Sequence, residues 1–293
     1  MLFKMRKYFF ISIFLFLCGC EKGVLPNVIT YTPSIELNPI TWQNGEPIPD
    51  VTLILTGELL SGGSKTKRGF VWATHPNPTE LDNYLFDAKK GNGIYSLETK
   101  DFSFGKKYFI RAFSENSEGR TYGAVKEITI PSKYVLFQSL IGTSFGGGII
   151  AFIDSSGHGL ISAPSDLGPA EWTSAGVFVS GAEGTAIGTG NQNTIDILMG
   201  GSTAGIAARL CGDLVLGGYS DWHLPSKDEF HVIYHSNLSV LDFRGDRNYW
   251  TSSKYVDGPG QQWGYGVWRL YGGSWWKDYN LQNNFFVRAV RYF

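Results

Sequence analysis

Apolar and polar residues alternate with a period of two over four runs in the first half of the chain: Val51 to Leu55, Gly69 to Ala73, Tyr108 to Phe113 and Ala124 to Ile130. Such alternation sends one set of side chains into a core and the other into water, so each run predicts a half-buried strand. In the third run Tyr108, Ile110 and Ala112 share the inward face and Arg111 the wet one. Between the runs stand Ser61-Gly62-Gly63-Ser64, Pro76-Asn77-Pro78 and Gly91-Asn92-Gly93. Glycine supplies positive φ and proline withholds a donor, so each cluster ends a strand. Strands at this spacing over residues 28–131 predict a β-sandwich whose aromatics, Phe70, Trp72 and Tyr108, are core.

Ser132 to Leu140 reads as a short connector, and a second domain covers 141–293. Its opening apolar runs, Ile149 to Asp154 and Gly159 to Ala163, flank the turn Ser155-Ser156-Gly157-His158 and predict a hairpin. A helical pattern follows over about 194–214, weakened or split by Gly200, Gly201 and Gly205. Ser226-Lys227-Asp228-Glu229 is a capping box, with Pro225 before it, and predicts a second helix. From Tyr249 the pattern returns to strands and closes on Phe285 to Arg291.

The first twenty residues follow different rules. Lys4, Arg6 and Lys7 precede an apolar run from Tyr8 to Leu17, followed by Leu17-Cys18-Gly19-Cys20. The run is far shorter than the roughly 20 residues of a spanning helix and has the form of a signal peptide over 1–19. Leu-x-Gly-Cys resembles the bacterial lipobox, which implies a lipid on Cys20 and a tether over 20–27, with the membrane as a partner through the acyl chains. Cys211 is then the one remaining cysteine, so no intramolecular disulfide is expected.

Composition narrows the function classes. The 293 residues include 37 glycines and 15% aromatic residues, with charged residues at 17%, a β-rich rather than disordered or helical-bundle profile. A formal charge of −1 carries no footprint for nucleic acid. The second domain holds 25 of the glycines and seven of the nine tryptophans, and its nine Lys and Arg face 13 Asp and Glu.

Two stretches resemble known families. RGFVWATHPNPT (68–79) and YFIRAFSENSEGRTYG (108–123) resemble the fibronectin type III-like modules of exported Bacteroidetes proteins, which implies an Ig-like spacer without chemistry. GGGIIAFID, GHGLISAP, NQNTIDI, AARLCGDLVLGGYSDWHLPSKDEF, NYWTSSKY and FVRAVRYF occur in the order of the C-terminal domain family of the Legionella collagen-like adhesin. That resemblance implies an α+β, C-type lectin-like fold, akin to the formylglycine-generating enzymes and used for binding at a surface. His223 stands where the family often has arginine, and Ala289 where many members have cysteine. The adhesin binds sulfated glycosaminoglycans, but sulfated polymers want a cationic groove and this domain is acidic, which favours a neutral or weakly charged glycan.

The densest chemical feature is Trp263, Tyr265, Trp268, Arg269, Tyr271, Trp275, Trp276, Lys277, Asp278 and Tyr279, interleaved with glycines. On a strand Trp263, Tyr265, Val267, Arg269 and Tyr271 share one face, and Trp268 and Leu270 the other. One face must be core. The opposite one can offer flat rings to a sugar, with Arg269, Lys277, Asp278, Asn280 and Gln282 bonding its hydroxyls. The same rings can equally fill a small core.

Other constellations are weaker. His231 and His235 lie one helical turn apart with Glu229 nearby, but no third ligand is evident and no metal is expected. Asp221 is expected to cap local amides and Trp222 to plug the core. Cys211 lies in an apolar helical pattern, the signature of a buried, inert thiol. Gly146-Gly147-Gly148 precedes a strand, whereas a phosphate cradle needs a helix after it. The expectation is a mainly β, multidomain lipoprotein of the outer membrane, without cofactor or catalysis, that binds a glycan or another host or envelope ligand. An envelope-complex module and a formylglycine-generating-type enzyme are the alternatives.

Overall fold

The computed structural model describes residues 24–201, 203–236, 239–256, 265–278 and 280–293. Cys20, Trp263 and Tyr279 lie outside them, as does the Tyr265 side chain. The chain is mainly β. It forms two compact units: one comprises Leu53–Lys100, Lys107–Thr129 and the segment ending at Glu36, and the other Leu37–Thr52, Asp101–Lys106 and Ile130–Phe293. No helix of the described residues is long and apolar enough to cross a membrane.

Nine strands come first: β1 (Asn27–Thr30), β2 (Ser34–Gln43), β3 (Glu46–Ser61), β4 (Lys67–Ala73), β5 (Asn83–Phe86), β6 (Gly93–Thr99), β7 (Lys107–Asn116), β8 (Gly119–Tyr122) and β9 (Lys126–Thr129). They form two antiparallel sheets, one in the order β1-β3-β2 with β6 on β3, the other β5-β4-β7-β8 with β9 on β7. The alternation has its expected consequence: Phe70, Trp72, Tyr108, Ile110 and Ala112 are all buried. Arg111 is only partly wet, because its guanidinium lies 3.8 Å from the Tyr122 ring centroid and donates to Pro78 O at 2.6 Å. Arg68 is buried and matched, paired with Asp87 at 2.8 Å and donating to Gly91 O at 2.7 Å. Trp42, in the segment that belongs to the second unit, stacks on Phe145 at 3.6 Å between ring centroids.

The connector is not irregular. It holds a short helix, α1 (Lys133–Gln138), started by the Ser132 hydroxyl accepting from Val135 N. Then follow β10 (Ser144–Phe145), β11 (Gly148–Ile153), β12 (Gly159–Ser162), β13 (Pro169–Ala170), α2 (Gly190–Gly200), α3 (Ala207–Gly212), α4 (Lys227–Tyr234), β14 (Asn248–Val256), β15 (Tyr265–Tyr271), β16 (Ser274–Asp278), β17 (Phe285–Phe286) and β18 (Val290–Tyr292). The anticipated hairpin is β11–β12. The long helical pattern is indeed divided, into α2 and α3, at its glycines.

Two sheets carry this unit, β10-β11-β12-β18 and β13-β17-β14-β15-β16. Each contributes buried residues from both of its faces. Ile150, Trp250 and Val267 point into a cluster shared with Ile197, Ala207, Ala208 and Cys211 of α2 and α3. Their strand neighbours Ile149, Tyr249 and Leu270 join a second cluster with Phe230 and Ile233 of α4. The order is therefore helices, sheets, helix. Gly147 and Gly217 let two loops touch, since a Cβ on Gly147 would lie 2.5 Å from Leu216 O and one on Gly217 2.2 Å from the Gly147 Cα.

Glu229 joins three of these elements. It closes the capping box of α4 by accepting from Ser226 N at 2.9 Å. Its other oxygen accepts from Gly188 N at 2.8 Å and Gly190 N at 3.1 Å, at the start of α2, which has no side-chain cap of its own. That oxygen also accepts from the Tyr292 hydroxyl of β18. Burial works against the charge, yet the His223 ring, with Nε2 3.5 Å away, together with Tyr292 and the Ser226 amide, holds the carboxyl below its ordinary value. A second carboxylate, the partly buried Asp166, accepts from Arg288 at 2.8 Å, Arg247 at 2.7 Å and the Tyr249 hydroxyl at 3.2 Å.

Glu229→Gln leaves buried amides facing a donor instead of an acceptor and is expected to cost about 3–5 kcal/mol. Because the folded carboxyl lies below the ordinary 4.5, its stabilisation is present above that pH and is lost as pH falls through the lower folded value. Urea midpoints of both proteins, measured from pH 7 to pH 3, should converge at the acid end.

Candidate functional site

Strands β14, β15 and β16 form one antiparallel ladder. In β15–β16 the cross-strand partners are Trp268 with Lys277, Arg269 with Trp276, Leu270 with Trp275 and Tyr271 with Ser274. Pleating therefore sorts the aromatic segment onto two faces. Trp268 and Trp275 share one with Tyr255 and Lys277, while Arg269, Tyr271, Trp276 and Asp278 share the other.

On the first face rings and cations alternate. The Lys277 ammonium lies 3.3 Å from the Tyr255 ring centroid and 5.6 Å from that of Trp268. Lys227, from the first turn of α4, lies 5.0 Å from Trp268 and 5.4 Å from Trp275. Beyond Trp275 comes the His231 ring at 6.1 Å, and then His235 at 4.4 Å from His231. Lys227, His231 and His235 are spaced by four, so α4 presents them as one stripe. Trp268 and Trp275 are half-buried, Lys277 and both histidines exposed. His235 is pushed below the ordinary imidazole value, by partial burial and then by His231.

The second face is occupied by its own bonds. Arg269 pairs with Asp278 at 2.9 Å, donates to the Asn248 side chain and lies 5.2 Å from the Phe285 ring centroid. Asp278 accepts from Asn280 N at 2.9 Å and Asn283 Nδ2 at 3.1 Å, and Gln282 donates to Thr173 O at 3.2 Å. The polar groups foreseen as partners for sugar hydroxyls thus mostly bond one another. Trp276 is nevertheless 52% exposed and Tyr271 43%.

Other expectations change with position. Asp221 accepts chiefly from Arg291, at 2.7 and 3.0 Å, with its own backbone amide a lesser partner, and the Arg291 pairing holds its carboxyl low against burial. Trp222 is buried as foreseen. Glu229 points away from the two histidines into the interior, so it cannot join them on a metal. Among the described residues no three His, Cys, Asp or Glu side chains gather as a metal site. Cys211 is buried and its thiol is pushed far up by burial, which leaves no thiolate at neutral pH.

Three shallow cavities of about 320, 280 and 370 Å³ lie elsewhere, against Gly146–Gly148, against Asp166 and Arg247, and against Phe178 and Met199. None is lined by the aromatic residues of β15 and β16. Sequence reasoning missed Lys227 and Tyr255; the spacing of Lys227 with the histidines was visible, but not the sheet face it would meet.

No family model and no curated protein matches the chain. Among solved structures it is similar to the crystal structure of a fimbrial protein from Bacteroides ovatus ATCC 8483, at 12% identity and a TM-score of 0.34, covering 92% of this chain and 70% of that one. A likeness at this level carries no assignment of function.

Burial separates the tryptophans energetically. Trp276→Ala is expected to change stability by less than about 1 kcal/mol, whereas Trp250→Ala, from the fully buried ring, should cost about 3–5 kcal/mol. Thermal or urea unfolding of the two variants measures the difference.

Proposed function

We propose that this is a non-catalytic, lipid-anchored surface protein in which an Ig or fibronectin III-like spacer carries a C-type lectin-like domain that binds an extracellular glycan. The observation that supports binding is the face of Tyr255, Trp268 and Trp275 with lysines between them. Partly exposed indoles suit the apolar side of a pyranose. Lys227 and Lys277, displaced from the rings by the sugar, are placed to bond its hydroxyls. The excess of acidic groups in the second domain favours a neutral or weakly charged glycan. The buried, protonated state of Cys211 supports a role without thiol catalysis.

A second reading, a protein-binding module of an envelope complex, is favoured by a different surface. Phe178, Ile195 and Met199 stand exposed on and beside α2, with the Lys254 ammonium 5.7 Å from the Phe178 ring centroid.

A glycan array with soluble Gly23–Phe293 should show binding above background that falls at least tenfold in Trp268→Ala and Trp275→Ala and survives in Met199→Ser. No binding to any glycan, with one stoichiometric protein co-purifying through the α2 surface, would replace the first reading with the second. Cys20→Ser should abolish palmitate incorporation and release the chain from the membrane fraction; unchanged labelling would remove the lipid anchor.

A further inference from the structure

Histidine is the commonest metal ligand when a neutral ring nitrogen is available. Of the five histidines, two have committed rings: His75 bonds Pro76 O and Asp82, and His158 bonds the Ser156 hydroxyl. His223 is sealed in the interior. His231 and His235 differ from all three. Their rings lie 4.4 Å apart between centroids, tilted by 51°, both are exposed, and no hydrogen bond or ion pair among the described residues reaches either ring.

Their support is rigid. The helix that carries them is fixed at its start by the Ser226–Glu229 box and by Glu229's bonds to Gly188 and Gly190. The His235 amide still donates to His231 O at 3.0 Å, so both residues belong to one continuous helical turn. Opposite His235 the β15–β16 hairpin turns through Gly272 and Gly273, both at positive φ, so the hairpin itself puts no side chain over the imidazole, and the Tyr234 ring meets it edge to face at 5.3 Å. On the other side the Trp275 ring forms a wall 6.1 Å from His231.

We propose that His231 and His235 bind one divalent late first-row transition-metal ion, such as Cu²⁺, Ni²⁺ or Zn²⁺, through two imidazole nitrogens, leaving its remaining coordination positions open. Imidazole is the ligand type these ions prefer, and the Irving–Williams order places Cu²⁺ highest. Calcium and magnesium, which take oxygen ligands, are not candidates. Lys227, one turn before His231, stands over the Trp275 ring at 5.4 Å and adds a positive charge near the site. The site is independent of the glycan reading; a bound ion would lie at the end of the ring and cation face.

The test is a Cu²⁺ titration of the untagged full-length chain. Saturable quenching of tryptophan fluorescence at one equivalent is expected, because Trp275 adjoins the pair, with affinity reduced at least tenfold in His231→Asn and in His235→Asn. Proton spectra with Zn²⁺ give a readout that needs no variant: the imidazole resonances of His231 and His235 should shift together while those of His75 and His158 stay in place. Absence of a saturable site, equal affinity in the double variant, or equal shifts in all exposed histidines would overturn the assignment.

Discussion

The second unit is organised around a negative charge placed where water cannot reach it. A buried carboxylate costs several kcal/mol in lost hydration unless its neighbours replace that hydration. Glu229 obtains the replacement from three backbone amides and a tyrosine hydroxyl, which belong to α2, α4 and β18. None of these elements can shift without exposing the cost. Helix starts carry partial positive charge, so two of them meeting one carboxylate is favourable as well as geometrically exacting. Asp166 plays a comparable part between Arg288, Arg247 and Tyr249.

The surface chemistry inherits that rigidity. Because α4 is fixed at its first turn, Lys227 is held beside Trp268 and Trp275, and the helix continues His231 and His235 along the same stripe. Each exposed cation and ring contact is worth about 0.5–1 kcal/mol, enough to order the lysines without locking them. A face so built is firm in its rings and exchangeable in its cations. The opposite face, where Arg269 and Asp278 close on each other, is ordered by its own ion pair.

Periodicity made the strands of the first half, the β11–β12 hairpin and the division of the long helical pattern legible in the sequence, because each depends on neighbours along the chain. The capping box was legible for the same reason: Ser226 and Glu229 are three residues apart. What Glu229 does beyond its own helix was not, since Gly188 and Tyr292 are distant in sequence. Asp221 illustrates the same limit, as its partner Arg291 is seventy positions away. The aromatic segment was recognised and its two faces correctly alternated, yet which face would carry cations depended on where α4 docked.

Hydrogen exchange by mass spectrometry on the wild-type chain and Glu229→Gln tests most directly whether one carboxylate ties these elements together. Faster exchange should appear at once in peptides covering the start of α2, the first turn of α4 and the end of β18, with the β4–β7 ladder unchanged. Loss of protection confined to residues next to 229 would contradict the claim and reduce Glu229 to an ordinary helix cap.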